Sequence, residues 1–357
     1  MRKYYTRPCN FYYGNNAYKL IKNKKALPLT GKKNLAFDQI EIFQRIGNKA
    51  KSEILSIKEI KSLGIKKKNI IKKDIKNIIS KRKKILNLKF NYPEIMGVLN
   101  VTPDSFSDGG LFFSKSKAYK QAKEIIKGGA KIIDVGGEST RPGSITINEK
   151  LEWKRIKNVI EIIKKKFPKM VLSLDSRKSF VIENGIKKGI GIINDVSGLS
   201  FDKKSFNIIN STNTPFILNH MQGSPKTMQV RPSYKDALLD IYDFFEKKIN
   251  FCKSKNYKTN SIIIDPGIGF GKNLKHNLRI LSKISIFHSL GCPILIGTSR
   301  KRFIEHIVTK FDTQQRTGGT LSSVLYGLSQ GVQLFRAHDV KEINQGILVF
   351  KKILDEN

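Results

Sequence analysis

The chain has 357 residues, of which 39% are hydrophobic, so it has enough apolar material for a sizeable core and is not a disordered protein. It contains no run of about 18 apolar residues and no signal-peptide pattern, so we expect neither a membrane-spanning helix nor a secreted protein. Three well-separated cysteines fit neither a disulfide framework nor a zinc-binding spacing, and we expect a cytoplasmic protein with reduced thiols.

The net charge of +38 is concentrated at the start of the chain. Residues 1–90 carry 25 Lys and Arg against 5 Asp and Glu, whereas residues 91–357 carry 42 against 24. This balance is compatible with nucleic-acid binding. A lysine-rich coding bias, which places extra lysines on solvated faces, also explains this basic balance. We favour that interpretation for residues 91–357. Both interpretations stay open for residues 1–90, although we expect no nucleic-acid partner for the whole protein.

Residues 1–90 are predicted to form a lysine-rich N-terminal extension, and the sequence does not reveal its role. Apolar and polar residues alternate around Leu35–Phe43, which predicts a strand. Isoleucines recur at helical spacing between Lys58 and Lys84, among twelve basic and two acidic residues. That pattern predicts a surface helix or two, an amphipathic partner helix or a basic arm. We find no catalytic constellation in these residues.

From Glu94 onward, short apolar runs alternate with amphipathic helical patterns. The eight runs cover residues 94–100, 131–137, 171–176, 191–198, 215–221, 261–267, 293–299 and 332–339. Strands that alternate with helices imply right-handed parallel crossovers. Eight such units predict an α/β fold, a (β/α)₈ TIM barrel over residues 91–357. A doubly wound sheet is the alternative, but the glycine-rich dinucleotide turn that usually follows its first strand is absent.

Most of the predicted strands end in polar residues. The carboxyl ends of all barrel strands meet at one face, where active sites lie. The residues predicted to converge there are Asn100, Asp134, Asp175, Asn194, His220, Asp265, Ser299–Lys301 and Arg336–His338. One polar strand end is well explained as a turn or a helix cap. A ring of them implies water and a ligand in the middle, because buried polar groups without partners are costly.

The side chains of this ring fit a flat, charged ligand. Asp175, Asn194 and Asp265 offer donor and acceptor edges that match a heterocycle with amide and amino groups. Lys301 and Arg336 are cations that suit a phosphate or a diphosphate.

The backbone around the ring adds further anion-binding groups. The segments 100–110 and 136–144 can form nests of N–H donors. Asn100 supplies a neutral oxygen of the kind that Mg²⁺ accepts when diphosphate and water provide its other ligands. No His/Cys zinc cluster and no G-x-S-x-G serine motif is present. We therefore expect catalysis by positioning and by stabilisation of a departing charged group.

Eight ordered motifs resemble those of the dihydropteroate synthase family of pterin-binding enzymes. They are MGVLNVTPDSFSDGG, IIDVGGESTRPGS, LDS, INDVSG, NHMQGSPKTMQ, DPGIGFGKN, GTSRKRFI and FRAHDV, and the resemblance runs from about Glu94 to the C-terminus. It implies a transferase of folate biosynthesis, a target of sulfonamides. Such an enzyme joins 4-aminobenzoate to 6-hydroxymethyl-7,8-dihydropterin diphosphate and releases 7,8-dihydropteroate and diphosphate, with magnesium as cofactor. It also implies a homodimer.

The resemblance implies a role for each matching residue. The pterin would be held by Asp175, Asn194, Asp265 and Lys301, and the diphosphate by Asn100, Arg336 and His338, with Asn100 also at Mg²⁺. The 4-aminobenzoate pocket would be shaped by Phe106, Thr140, Arg141, Pro142 and Phe270. The catalytic residues would be Asp175, Lys301 and Arg336. In the family the diphosphate leaves first and the amine then attacks the pterin cation, so two loops must exclude water.

The chain departs from the family pattern at a few positions. Ser176 stands where threonine is common and keeps the hydroxyl, and Ala337 replaces a bulkier apolar residue. Asn219 stands where methionine is usual, which could change packing or a pterin contact. Elsewhere, we expect Asp134 and Glu138 to orient a loop as a pair.

Apart from His338, the chain has four histidines. His276, His288 and His306 are expected at the surface. His220 is expected either to touch a ligand or to orient a loop.

Two other functions compete with this interpretation. A pterin-dependent methyltransferase that serves a corrinoid protein shares the barrel and the Asp–Asn–Asp set. It should lack the ESTRPGS loop and the lysine of the SRK motif, Lys301, both of which are present here. A nucleic-acid-binding protein whose functional part is residues 1–90 is the other alternative, but the intact motif set argues for catalysis.

Overall fold

The computed structural model describes residues 3–47, 49–102, 111–139, 143–224, 227–308 and 312–356, with side chains from residue 116 onward in the helix that begins at 111. Its main body is an eight-stranded parallel sheet. The strands are β5 (Glu94–Asn100), β6 (Ile132–Gly136), β7 (Val171–Asp175), β8 (Ile192–Asp195), β9 (Phe216–Asn219), β10 (Ile262–Asp265), β11 (Leu295–Ile296) and β12 (Leu334–Ala337).

The sheet closes into a barrel. Its strand order is β10-β9-β8-β7-β6-β5-β12-β11. A parallel bridge between Ile264 and Ile294 joins the two ends, and the Ile264 N–H donates to the Pro293 carbonyl at 2.9 Å. The predicted TIM barrel is confirmed.

Helices connect the strands and cover the outside of the barrel. They are α3 (Leu111–Lys127), α4 (Glu149–Lys166), α5 (Ser179–Lys187), α6 (Lys203–Ser211), α7 (Ala237–Ser254), α8 (Leu274–Ser282), α9 (Arg302–Glu305), α10 (Thr317–Ser329) and α11 (Val340–Asp355). In α4, buried Ile156, Ile160 and Ile163 recur at helical spacing, and the Asn148 side chain caps the first turn. Among the described helices, none is long and apolar enough to cross a membrane.

A second, antiparallel sheet precedes the barrel. It consists of β1 (Tyr4–Tyr13), β2 (Leu27–Pro28), β3 (Leu35–Ile46) and β4 (Lys49–Ser56), with helices α1 (Gly14–Lys22) and α2 (Ile65–Ile79). β1 pairs with one edge of β3, while β2 and β4 pair with successive parts of the other edge. The strand predicted around Leu35–Phe43 is thereby confirmed. We call residues 3–79 the N-terminal sheet region.

The isoleucine pattern of the N-terminal sheet region forms α2. Ile71 and Ile78 are buried in a cluster with Phe37, Ile40 and Ile42 of β3. This segment is a packed helix on a sheet and not an extended basic arm, because its apolar face is covered while its lysines point outward.

Residues 85–90 fill the end of the barrel opposite the carboxyl ends of the strands. Ile85, Leu88 and Phe90 form a buried cluster with first residues of the strands, such as Ile132 and Val171. This packing favours a domain boundary before Ile85, and the division at residue 90 stays a prediction.

The expectation that His288 lies at the surface is wrong. Its side chain is fully buried, and its Nε2 lies 2.9 Å from the Gln330 carbonyl oxygen. The reason is that residues 284–290 lie between the barrel and the N-terminal sheet region, which the sequence pattern did not predict to pack there.

Candidate active site

Strand register brings the predicted site residues together at the carboxyl face of the barrel. Asp175 at the end of β7 is in register with Asn194 of β8. Asn219 at the end of β9 is in register with Asp265 at the end of β10. Arg336 lies on β12, which pairs with β5.

Arg336 links three of these strands across the barrel interior. Its Nε donates to Asp134 Oδ2 at 2.7 Å, and its Nη2 donates to Asp175 Oδ2 at 2.9 Å. Asn194 Nδ2 donates to the same Asp134 oxygen at 3.0 Å. Asp134 therefore orients Asn194 and Arg336, and the expectation that it orients a loop with Glu138 is wrong.

The electrostatics of this network follow from burial. Burial and the neighbouring Asp134 carboxylate raise the pKa of Asp175 to about 7, although Arg336 opposes the shift. Burial alone would lower the pKa of Arg336, but Asp134 and Asp175 outweigh it and the pKa rises. Arg336 is thus a fixed cation, while Asp175 can hold or release a proton near neutral pH.

Asp265 occupies a tight turn at the end of β10. The Gly267 N–H donates to its Oδ1 at 2.8 Å, and Asn219 Nδ2 lies 3.4 Å from its Oδ2. Gly267 has φ +67°, and a Cβ there would lie 2.0 Å from the His220 carbonyl oxygen, so only glycine fits. Burial raises the pKa of Asp265 to about 6, and the Gly267 N–H limits the rise.

Several buried acceptors in this region have no hydrogen-bond partner among the described residues. They are one side-chain oxygen each of Asp134, Asp175, Asn194 and Asn219. Unpaired buried acceptors are rare in folded proteins and destabilise them. These oxygens can accept hydrogen bonds from water or from the N–H donors of a ligand.

Lys301 and Phe270 lie together beside Asp265. The Lys301 ammonium is 3.7 Å from the centroid of the Phe270 ring, a cation–π contact. Phe270 lies in the turn 267–271, which faces the segment after β11 that carries Lys301.

Sequence reasoning did not single out Lys272. Its Nζ lies 3.0 Å from His220 Nδ1 and donates to the Phe270 carbonyl at 2.8 Å. Burial lowers its pKa to about 7. The position of Lys272 inside the DPGIGFGKN motif was the available signal. His220 is thereby placed as a residue that holds this turn.

Asn100 and His338 lie on neighbouring elements of the same face. A Cβ built on Gly136 would lie 3.4 Å from Asp175 Cβ and 3.6 Å from Asn100 Oδ1, so Asn100 and Asp175 flank the Gly136 backbone. His338 Nδ1 is 3.0 Å from Ser299 Oγ. Burial and the nearby Arg336 lower the pKa of His338 to about 3, so the imidazole is neutral.

Glu138 holds the segment that follows β6. It accepts hydrogen bonds from the Ile147 N–H at 3.0 Å and from Arg177 Nη2 at 2.9 Å, and it pairs with Lys178. Lys178 also pairs with Glu152 of α4 at 2.5 Å. These contacts fit a loop-orienting role. The predicted 4-aminobenzoate residues Phe106, Thr140, Arg141 and Pro142 lie outside the described residues.

The described residues contain no group of three or more His, Cys, Asp or Glu side chains that could hold a metal ion. A divalent cation at Asn100 would therefore take most of its ligands from diphosphate oxygens and water. The neutral amide oxygen fits that arrangement.

The sequence profile of pterin binding enzymes matches residues 96–338. The chain is 40% identical to the dihydropteroate synthase of Escherichia coli (strain K12) over 268 residues, which cover 75% of this chain and 94% of that relative. It is 41% identical to the dihydropteroate synthase of Bacillus subtilis (strain 168) over 249 residues, which cover 70% and 84%.

Solved structures agree with these relatives. A Yersinia pestis dihydropteroate synthase with a sulfonamide drug complex superposes with a TM-score of 0.70 at 38% identity, over 74% of this chain and 96% of that chain. A Xanthomonas albilineans dihydropteroate synthase in complex with 7,8-dihydropteroate has a TM-score of 0.67 at 30% identity, over 74% and 95%. The chain therefore belongs to the dihydropteroate synthase family of pterin-binding enzymes.

Proposed function

We propose that this chain is a dihydropteroate synthase. It transfers the pterinylmethyl group of 6-hydroxymethyl-7,8-dihydropterin diphosphate to 4-aminobenzoate and gives 7,8-dihydropteroate and diphosphate in folate biosynthesis. The observation that carries the proposal is the set of buried acceptors on Asp175, Asn194 and Asn219 that have no partner among the described residues, beside the cation of Arg336. It lies at the carboxyl face of a barrel that matches dihydropteroate synthases over nearly their whole length.

The pterin binds between the β7–β8 and β9–β10 strand ends. Asp265, when ionised, accepts hydrogen bonds from the exocyclic amino group and the adjacent ring N–H. Asp175 and Asn194 form hydrogen bonds with the other ring nitrogens, and the Lys301 ammonium donates a hydrogen bond to the opposite edge of the ring. A charge-assisted pair of this kind is stronger than a neutral hydrogen bond.

The reaction exchanges one bond for another at the methylene carbon. The C–O bond to diphosphate breaks and leaves a cation that is delocalised into the pterin ring. The lone pair of the neutral arylamine then forms the C–N bond, and the amine releases one proton. No base is needed to activate the amine, so the protein acts by positioning and by stabilising the leaving anion.

Arg336 is suited to the leaving group. Asp134 and Asp175 fix its guanidinium with two short hydrogen bonds, so its charge is oriented before the substrate arrives. His338 is neutral and serves as a hydrogen-bond donor to the diphosphate.

Mg²⁺, held by Asn100 together with the diphosphate, would neutralise the negative charge of the leaving group. The described residues fit this ion only as partners of a diphosphate complex, since Asn100 supplies one neutral ligand among them.

The second substrate, 4-aminobenzoate, binds on the outer side of the pterin. Phe270 forms one wall, stacked under Lys301. Phe106, Thr140, Arg141 and Pro142, which lie outside the described residues, are the other residues proposed to contact 4-aminobenzoate. Pterin-dependent methyl transfer to a corrinoid protein is not favoured, because the chain has both Lys301 and the ESTRPGS sequence and its relatives are dihydropteroate synthases.

The protein assembles as a homodimer in the cytoplasm. Tyr326 of α10 and Leu348 and Val349 of α11 expose more than half of their side chains on adjacent helices. Exposed apolar side chains on these two helices are suited to contact with a second copy. Leu348→Asp should yield monomers in analytical ultracentrifugation, while an unchanged sedimentation coefficient would contradict this interface.

Three buried cysteines without disulfides fit a reducing compartment.

A turnover assay tests the proposed activity. The full chain is incubated with the dihydropterin diphosphate, 4-aminobenzoate and MgCl₂, and dihydropteroate is measured by chromatography. Product that requires both substrates is expected, and Arg336→Ala should reduce it while retaining affinity for the free pterin alcohol. Absence of product, or methyl transfer from a methylated pterin to a corrinoid, would contradict the proposal.

A further inference from the structure

Arg45 joins the N-terminal sheet region to the first turns of α7. It lies near the end of β3, and its side chain is 6% exposed. Nη1 lies 2.9 Å from Asp240 Oδ1, Nη2 lies 3.1 Å from Asp243 Oδ2, and Nε donates to the Tyr5 hydroxyl at 3.1 Å. The start of α7 follows β9, so these contacts lie at the end of the barrel that carries the candidate site.

Asp240 connects Arg45 to the loop between β9 and α7. Its second oxygen, Oδ2, accepts from the backbone N–H of Lys235 at 2.9 Å and of Asp236 at 3.3 Å. Asp236 in turn caps α7 through the Leu238 N–H at 3.0 Å. One carboxylate thus binds Arg45 and the end of the loop together.

The same loop supports the turn that carries Phe270. The Tyr234 hydroxyl donates to the Gly271 carbonyl at 2.7 Å, and Gln229 Nε2 donates to the Gly269 carbonyl at 2.7 Å. These two hydrogen bonds hold the backbone on both sides of Phe270. A continuous set of contacts therefore runs from Arg45 to the wall of the candidate pocket.

We infer that the N-terminal sheet region braces the catalytic face of the barrel, with Arg45 as a positioning residue for the pocket that Phe270 and Lys301 line. This inference rests on the proposed function. Residues that shape a site must be held to within about half an ångström, and buried hydrogen-bonded supports provide that rigidity. Loss of Arg45 leaves Asp240 and Asp243 close together without this cation and loosens the loop end.

Arg7 offers a matched control at the other end of the same interface. Its Nε lies 2.8 Å from Glu41 Oε2, its Nη1 donates to Ser285 Oγ at 3.3 Å, and Glu41 also pairs with Lys283. Residues 284–290 precede β11, so this buried cluster lies opposite the catalytic face. Removing Arg7 weakens the same interface without touching the loop between β9 and α7.

The test compares Arg45→Met, Arg45→Lys and Arg7→Met in the full chain. Thermal unfolding gives the Tm of each variant, and kcat and KM for each substrate are then measured well below the lowest Tm. Arg45→Met should raise the KM for 4-aminobenzoate on the order of tenfold, because the pocket wall shifts. Arg45→Lys should restore part of the loss, and it keeps the test available if Arg45→Met does not fold. Arg7→Met should lower Tm while its KM stays within about twofold of the wild type.

Two kinetic results would overturn the inference: an unchanged KM in both Arg45 variants, or an equal rise of the KM in Arg7→Met. Hydrogen exchange separates the inference from the activity itself. Residues 229–236 and 269–272 should exchange faster in the Arg45 variants than in Arg7→Met, whichever substrates the enzyme accepts. A wild-type chain that makes no dihydropteroate would refute the proposed function, whereas equal exchange in all variants would refute the brace.

Discussion

At the scale of single residues, burial shifts the ionisation of two carboxyl groups at the candidate site. The pKa of Asp265 is raised to about 6 and that of Asp175 to about 7, chiefly by burial. A carboxyl group whose pKa is raised by folding contributes its full stability only when the pH is below the unfolded-state pKa of about 4. This contribution is lost as the pH rises through the folded-state pKa. Ionisation of these two groups therefore destabilises the ligand-free protein as the pH rises to neutral, and the N–H donors of the proposed pterin substrate would offset that cost.

Pterin affinity should fall in acid because protonation of Asp265 removes its charge and turns one of its acceptor oxygens into an O–H donor. With a pKa of about 6, the affinity at pH 5 should be about tenfold lower than at pH 7.5. Isothermal calorimetry with the free pterin alcohol measures this. Asp265→Ala should abolish binding at every pH. A flat affinity profile in the wild type would rule out Asp265 as the charged acceptor.

Asn219 offers a test of the chain's departure from its family. Its Oδ1 is buried without a partner among the described residues. Asn219→Met should raise the free energy of unfolding of the ligand-free protein by about 1 kcal/mol and weaken pterin binding about fivefold, because one unpaired acceptor disappears. Ser176→Thr, which keeps its hydroxyl, is the control and should change neither quantity much. Tighter pterin binding in Asn219→Met would contradict a hydrogen bond from the ligand.

At the scale of elements, connections between strand ends decide which loops can shape a pocket. Glu138 joins the segment after β6 to Arg177 and Lys178, which follow β7. All three side chains are almost fully buried, so this is a structural ion-pair network and not a surface one.

Glu138→Gln should loosen that network and the loop that it holds. We expect a loss of about 3 kcal/mol in the free energy of unfolding, because buried Arg177 loses its carboxylate and buried Lys178 keeps only Glu152. The KM for 4-aminobenzoate should rise more than the dissociation constant of the pterin. Denaturant unfolding and steady-state kinetics measure both. Glu161→Gln, which removes an exposed pair with Lys188, should change the free energy of unfolding by less than about 1 kcal/mol.

At the scale of the whole molecule, residues before Glu94 belong to the core of the barrel as well as to a second sheet. Ile85, Leu88 and Phe90 cover the apolar end of the barrel. Net stabilities of folded proteins are only about 5–15 kcal/mol, and each large buried side chain contributes about 2–5 kcal/mol.

A chain that starts at residue 91 should therefore fail to fold or should unfold at least 10 °C below the full chain. A chain that starts at residue 83 keeps Ile85, Leu88 and Phe90 and should unfold at a higher temperature than the shorter one. Circular dichroism during heating compares them. Equal unfolding temperatures for the two truncated chains would show that these three residues do not stabilise the barrel end.

Strand β1 and the role of Arg45 in the N-terminal sheet region could not be predicted from the local sequence. β1 carries Pro8, and Asn10 adopts the left-handed region at φ 54°, so its alternation is interrupted. Among the described strands β1 pairs with β3 alone, and an edge strand tolerates proline. In the sequence, nothing distinguishes Arg45 from the other cations of a basic segment, because its partners Asp240 and Asp243 lie about two hundred residues away.

The sequence by itself determined the eight barrel strands, the polar residues at their ends and the family. The physical reason is that strand and helix periodicities are local, and parallel strands in a closed barrel bring their carboxyl ends to one face. Only the tertiary structure decided which charges pair. Asp134 binds Arg336 across 202 positions of the chain, and Arg45 reaches α7. Pairing and burial depend on distances that exist only after the barrel has closed and the N-terminal sheet region has packed against it.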